Sequence, residues 1–317
     1  MAAPEETLML GALIIDKPEG ITSHDVVARV RRATRIRRVG HAGTLDPFAT
    51  GVLVCCIGPA TRLVQFLVGL NKEYEATVRL GYATDTQDCT GKQITPLRSS
   101  SELSVDDLHR VLNEFTGAQL QTPPMFSAKK VGGERLYRAA REGRSVEREA
   151  VNITLYSIGL LAGEGPMLTD NEDGTRDFQV RLQCSSGTYV RTVAHDIGEK
   201  LGVGAHLTKL RRTEVGHFTL ANAVTLDEAE NLSIEGLNDA LITPSDMLSH
   251  LSKVVLDEEG NTRVAHGRAV TLSEAQLKAM RAGTQTLRLC DSNGALVAVG
   301  YFDPMTGIVN PRVVLTS

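Results

Sequence analysis

The sequence predicts an α+β chain, with a body in which period-2 strand patterns alternate with capped amphipathic helices and a small β-rich tail behind it. Three observations carry this. Residues 72–82 alternate, so that Tyr74, Ala76, Val78, Leu80 and Tyr82 share one face. Ser104-Val105-Asp106-Asp107 forms a capping-box pattern ahead of Leu108, Val111, Leu112 and Phe115, a helix stopped by Gly117. Beyond residue 250, Thr286–Cys290, residues 296–302 and residues 313–315 read as short strands, with Ser292-Asn293-Gly294 as a hairpin turn.

The remaining elements follow in order. Residues 11–15 form an apolar run ended by Lys17-Pro18, a strand entering a turn. Ser23 is the expected cap of the next helix, which turns Val26, Val30 and Ala33 one way and Arg29, Arg32 and Arg35 others, until Gly40-His41-Ala42-Gly43 stops it. Residues 52–57 read as a buried strand and 62–68 as helical. Residues 119–148 carry Pro123-Pro124, then Lys129, Lys130, Arg135, Arg138, Arg141, Arg144 and Arg148, and read as a basic insertion with a short helix near 134–142. Val151, Ile153 and Leu155 resume strand alternation, as do Phe178, Val180, Leu182 and Cys184. Thr188 is the expected cap of a helix carrying Val190, Ala194, Ile197 and Leu201, closed by Gly202. Residues 243–251 read as a linker, dividing a body of 1–250 from a tail of 251–317 near the lower size for an independent core.

With 317 residues, 42 % hydrophobic and 23 % charged, the chain has the ordinary globular balance, which excludes wholesale disorder and a membrane-embedded protein. The apolar runs 8–15 and 52–57 are too short to span a bilayer, and Glu5 and Glu6 stand where a signal peptide is basic. Five cysteines, at 55, 56, 89, 184 and 290, show neither Cys-x-x-Cys nor Cys/His ligand spacing, so no disulfide framework and no metal site is expected. A cytoplasmic monomer is the default. The net charge of −4 argues against nucleic-acid binding by bulk charge, but Arg29, Arg31, Arg32, Arg35, Arg37 and Arg38 stand together with no acid among them, which points to a polyanion surface.

Standard nucleotide, zinc and serine-hydrolase signatures are absent: no Gly-x-Gly-x-x-Gly, Walker loop, His-Glu-x-x-His or Gly-x-Ser-x-Gly occurs. What stands out is residues 40–51, where three glycines and Pro47 shape a loop around Asp46. Spacing alone favours a simple turn in which Asp46 bonds nearby backbone. Arg191 falls in the first turn of its helix, where a cation opposes the dipole unless an anion compensates it; it is either solvated or the partner of a catalytic carboxylate whose pKa it lowers.

The motifs Asp16-Lys17-Pro18-Glu19-Gly20, Gly40-His41-Ala42-Gly43-Thr44-Leu45-Asp46-Pro47, Ala49-Thr50-Gly51-Val52-Leu53 and Lys72-Glu73-Tyr74 resemble the bacterial tRNA pseudouridine-55 synthase family. So do Thr84-Asp85-Thr86-Gln87-Asp88, Pro123-Pro124-Met125-Phe126-Ser127-Ala128, Gly187-Thr188-Tyr189-Val190-Arg191-Thr192 and Leu210-Arg211-Arg212-Thr213. The resemblance implies a pseudouridine-synthase fold, a central mixed, largely antiparallel sheet flanked by helices, and a PUA-like RNA-binding tail. It implies a cofactor-free isomerisation of uridine in the tRNA T-arm stem-loop, without guide RNA. By the same resemblance Asp46 is the catalytic aspartate, Tyr74 stacks on the base and helps remove the carbon-5 proton, and Arg191 pairs with Asp46. Leu210 closes the pocket and His41 fills the gap left by the flipped base. Lys17, Tyr189 and Lys130 shape the site or hold RNA, and Asp88 matches a family aspartate. Residues 119–148 resemble the family's RNA-gripping thumb. Two alternatives stay open at this point: an RNA chaperone of the same fold, and a glycosidase using Asp88 as its second acid.

Overall fold

The computed structural model describes residues 9–127, 130–131, 133–144, 146–162, 165–280 and 283–315. Among them an eleven-stranded sheet runs through the body in the order Val224–Thr225, Gly11–Lys17, Thr50–Ile57, Ala205–Val215, Lys72–Leu80, Arg176–Cys184, Val151–Leu160, Gly117–Gln121, with three short strands on its sides. Gly11–Lys17 runs parallel to Val224–Thr225, and Ala205–Val215 parallel to Thr50–Ile57; the other neighbours are antiparallel. The sheet is therefore mixed and largely antiparallel, as expected.

The alternation in Lys72–Leu80 is realised in full, every second residue from Lys72 being buried. Tyr74, Ala76, Val78 and Leu80 pack with Phe178, Val180 and Leu182 beneath the helices Val105–Glu114 and Val190–Lys200. Each fully buried aliphatic side chain there contributes about 1.5–3 kcal/mol. On the other half of the sheet, Leu13, Ile15, Leu53 and Cys55 pack against Val26, Val27 and Val30 of the helix Ser23–Thr34.

Several local expectations are corrected. Thr22, not Ser23, caps the first helix, in a reciprocal box with Asp25; Ser23 is buried and ties down the loop at Leu45. Tyr189, not Thr188, is the cap residue of Val190–Lys200 and supplies no side-chain bond, because the Thr188 hydroxyl donates to Ser185 instead. Residues 119–121 are not insertion but the end of an edge strand paired with Val151–Leu160. The proposed linker is packed: Pro244–Met247 is helical, and Met247 and Leu248 are buried.

The tail forms a second, five-stranded sheet from Ser252 to Val314. Ser252–Val255, Val270–Thr271 and two helices add to the expected strands, the helix Glu274–Ala279 starting at a Ser273/Gln276 capping box that is itself a sequence signal. Its Cys290, Leu296, Val299, Val313 and Leu315 share one core with Ala12, Ile14, Val52 and Val54 of the body, so this core is not the tail's own. Arg62 and Arg288 bind backbone carbonyls of Val314 and Ser245 across the junction.

Candidate active site

The loop around Asp46 leaves the short strand Val39–His41 and re-enters the sheet at Thr50–Ile57. Buried side chains fix it from below. Lys17, wholly enclosed, donates to the carbonyls of Pro18, Ile21 and Pro47. Ser23 bonds both backbone groups of Leu45, and Arg212 reaches Gly43, Thr44 and Val52. Gly51 sits at φ +102, and a Cβ there would lie 2.1 Å from the Arg212 carbonyl oxygen, so only glycine lets the two strands meet. Lys17 thus holds the loop from beneath and does not reach a surface where RNA could lie.

At the tip the Asp46 carboxylate is 35 % exposed and receives Arg191 Nε at 2.8 Å. The same guanidinium donates to the carbonyls of Thr86 and Phe126 and stands 3.4 Å from Asp88. The anion that the position of Arg191 demanded is therefore Asp46, with Asp88 behind it. The expected direction of the Asp46 pKa is corrected: loss of water and the neighbouring Asp88 push the carboxyl up, and Arg191 only opposes this. Asp88 is buried, one oxygen taking bonds from Thr86 and Thr90 and the other facing Arg191. Both of its oxygens are thus engaged within the protein.

Tyr74 is buried, and burial pushes its phenol up. Arg212 is its direct partner across the sheet, and its charge draws the phenol back down. A cavity of about 290 Å³ joins Asp46, Tyr74, Tyr189, Arg191 and Leu210 with Lys72 and Arg212. Tyr189 is anchored through its backbone, which bonds the Gln121 amide at both ends. His41 lies in a wider adjoining groove with Thr22, Phe48 and Tyr137. Burial and Arg212 lower its pKa, so the ring is neutral near pH 7. Lys130 opens the two-residue strand Lys130–Val131, but its side chain lies outside the described residues, as do those of Arg135 and Arg141 and the whole of Lys129.

Two residues on the cavity wall, Lys72 and Arg212, were not singled out from sequence. The signal existed: Lys72 occupies an inward position of the Tyr74 stripe, where the alternation calls for an apolar residue. The arginine cluster of 29–38 is corrected as well. Arg29 is paired with Asp227 and Glu230, and Arg32 lies 3.8 Å from Glu230. Arg31 and Arg38 are engaged by Val39 and Thr61. The acids come from a segment some 200 residues away. Among the described residues, Arg35, Arg37 and Arg38 are the exposed members of the cluster without an ion pair, Arg38 being hydrogen-bonded to Thr61.

Comparison with known proteins adds an independent finding. Residues 31–190 match the model of the TruB family pseudouridylate synthase (N terminal domain), and residues 191–256 that of the tRNA pseudouridylate synthase B C-terminal domain. The latter extends through the first strand of the β-rich tail, Ser252–Val255. The chain is 44 % identical to a tRNA pseudouridine synthase B of Geobacter sulfurreducens, over 95 % of both chains. It is 41 % identical to that of Solibacter usitatus, over 97 % of this chain and 100 % of the other. Among solved structures, it is similar to a Cbf5-Nop10-Gar1 complex, with TM-score 0.72 and 27 % identity over 98 % of this chain and 86 % of that one. An archaeal box H/ACA sRNP Nop10-Cbf5 complex gives TM-score 0.70 and 25 % identity over 98 % and 87 %.

Proposed function

The chain belongs to the TruB family of tRNA pseudouridine synthases, and from that premise we propose that it isomerises the uridine at position 55 in the T-arm loop by an aspartate-dependent rearrangement in the cleft around Asp46. The observation that carries the reading is the Asp46–Arg191 pair at 2.8 Å in a cavity walled by Tyr74 and Leu210. In this reading the base lies against Tyr74 and Leu210 while its sugar meets the carboxylate.

In the proposed reaction the base is flipped out, at a cost of a few kcal/mol, and neutral His41 stacks in the vacated space. The N1–C1′ bond breaks, and Asp46 either adds to C1′ or takes the C2′ proton. The base turns and C5 bonds to C1′ as the Asp46–C1′ bond breaks or, on the other route, as Asp46 returns the proton to C2′; Tyr74 then takes the C5 proton and N1 gains one. Atoms and charge balance without redox chemistry or a cofactor. Arg191 keeps Asp46 aimed and favours its ionised form against the desolvation of the cleft. Residues 122–148, with exposed Arg138, and residues 251–317, read as a PUA-like unit beside a catalytic unit of 1–250, supply the RNA grip, and no guide RNA is needed. The test is incubation with unmodified tRNA and mapping of pseudouridine. Product at position 55 that depends on Asp46 supports the reading, and product elsewhere refutes the site.

A further inference from the structure

The cavity holds more positive charge than its own acids balance. Arg191 is matched by Asp46 and Asp88. Lys72 and Arg212 are 8 % and 1 % exposed, line the same cavity, and among the described residues neither forms an ion pair. The Lys72 ammonium is held by the carbonyls of Val68 and Leu70, which leaves one N–H over. Its acidic neighbour is the buried Cys184, whose thiol is pushed up to about 11 and so stays neutral. Two enclosed cations without a counter-ion are costly in lost hydration. A site bears that cost where an anion forms inside it.

We propose that Lys72, with Arg212 beside it, stabilises the uracil anion at the moment the base leaves the sugar. This rests on the reading of the cavity as the base pocket. When the N1–C1′ bond breaks, its electron pair goes to the base, which becomes a monoanion with charge on N1, O2 and O4. Lys72 and Tyr74 lie on the same face of one strand, and Arg212 lies directly across from Tyr74. A ring stacked on Tyr74 therefore has both cations at its edge. Lys72 keeps its proton throughout: it supplies a charged hydrogen bond that strengthens as the base charge develops, and the charge disappears when C5 bonds to C1′. A backbone phosphate is the other anion that RNA offers, but these cations lie inside the cavity wall, not on its rim.

The test is single-turnover reaction of unmodified tRNA carrying either uridine or 5-fluorouridine at position 55. Wild type, Lys72→Met, Lys72→Arg and Asp46→Asn are compared, with RNA affinity measured alongside. Fluorine makes the base a better leaving anion, so that substrate needs the cation less. Lys72→Met is expected to slow consumption of uridine about 100-fold at unchanged affinity, to slow 5-fluorouridine distinctly less, and to be partly restored in Lys72→Arg. Equal losses on both bases mean that Lys72 only supports the fold, and a loss of affinity in place of rate makes it a phosphate contact; each overturns the proposal. Turnover by Asp46→Asn at the wild-type rate refutes instead the reading of the cleft on which the proposal rests.

Discussion

Arg212 and Tyr74 face each other across adjacent antiparallel strands, and the buried guanidinium opposes the upward shift of the phenol. Burial pushes the Tyr74 pKa up, while Arg212 pulls it back toward the range in which the phenolate, the form that accepts a proton, is reached. Tyr74→Phe keeps the stacking surface and removes the acceptor. It is expected to bind tRNA normally and to form pseudouridine about 10²–10⁴-fold more slowly, leaving a rearranged base that is not released as product. Equal turnover by the Phe variant and wild type in a tritium-release assay from C5 removes the proton-transfer role.

Asp46→Asn exchanges the reacting oxygen for an amide in a residue that touches no phosphate. Isomerisation should be lost, with affinity for tRNA almost unchanged because phosphate contacts dominate it. Filter binding and pseudouridine mapping on the same preparation check both halves.

Arg191→Ala removes the cation that opposes the upward drift of the Asp46 carboxyl. Activity needs the ionised carboxylate, so it falls as pH drops through the Asp46 pKa. Without Arg191 that pKa is higher, and the acid limb of the rate profile should move to higher pH. A limb at the wild-type position contradicts the pairing.

Burial lowers Lys17 and Lys72 to about 8 from 10.5. Below pH 8 both states hold these protons and the burial penalty is complete. Between pH 8 and 10.5 the unfolded chain binds more protons, so stability should rise with pH in that window. Urea unfolding at pH 7.5 and 9.5 measures it. The rise should shrink in Lys72→Met, and its persistence unchanged there assigns it to other groups.

An isolated T-arm hairpin should be a substrate whose affinity falls with salt, at about 0.9 in log–log slope for each duplex phosphate neutralised. Arg35→Ala with Arg37→Ala should flatten that slope, and Arg29→Ala should not, because Arg29 is already held by Asp227 and Glu230. Truncation after residue 250 strips the cover from Ala12, Ile14 and Val52, so loss of binding in that variant is read only beside its melting temperature.

Much of the fold is legible in the chain's local pattern. Period-2 alternation marks Lys72–Leu80 and Arg176–Cys184 because each buries one face, and the Ser104 box locates its helix. Strand 308–314 is legible only at its end because Pro311 interrupts it; it is tolerated opposite Gly300 at a register shift. The caps are displaced by one residue where neighbouring hydroxyls compete, at Thr22/Ser23 and Thr188/Tyr189. The partners of Arg29, and the absence of an ion pair at Lys72 and Arg212 among the described residues, depend on contacts between distant segments, which local pattern does not encode. Asp46 and Arg191 are marked by a loop and a dipole, but their 2.8 Å meeting is a product of the whole sheet.

The core shared by Leu296, Val313 and Leu315 with Ala12 and Ile14 has a geometric consequence. A tethered tail would sample many separations from the cleft, whereas one fused to the body through common packing keeps a constant span. An RNA that touches both the cleft and the tail is then gauged as by fixed calipers: a fold of the right dimensions engages both ends at once, and a flexible strand carrying the same target base does not.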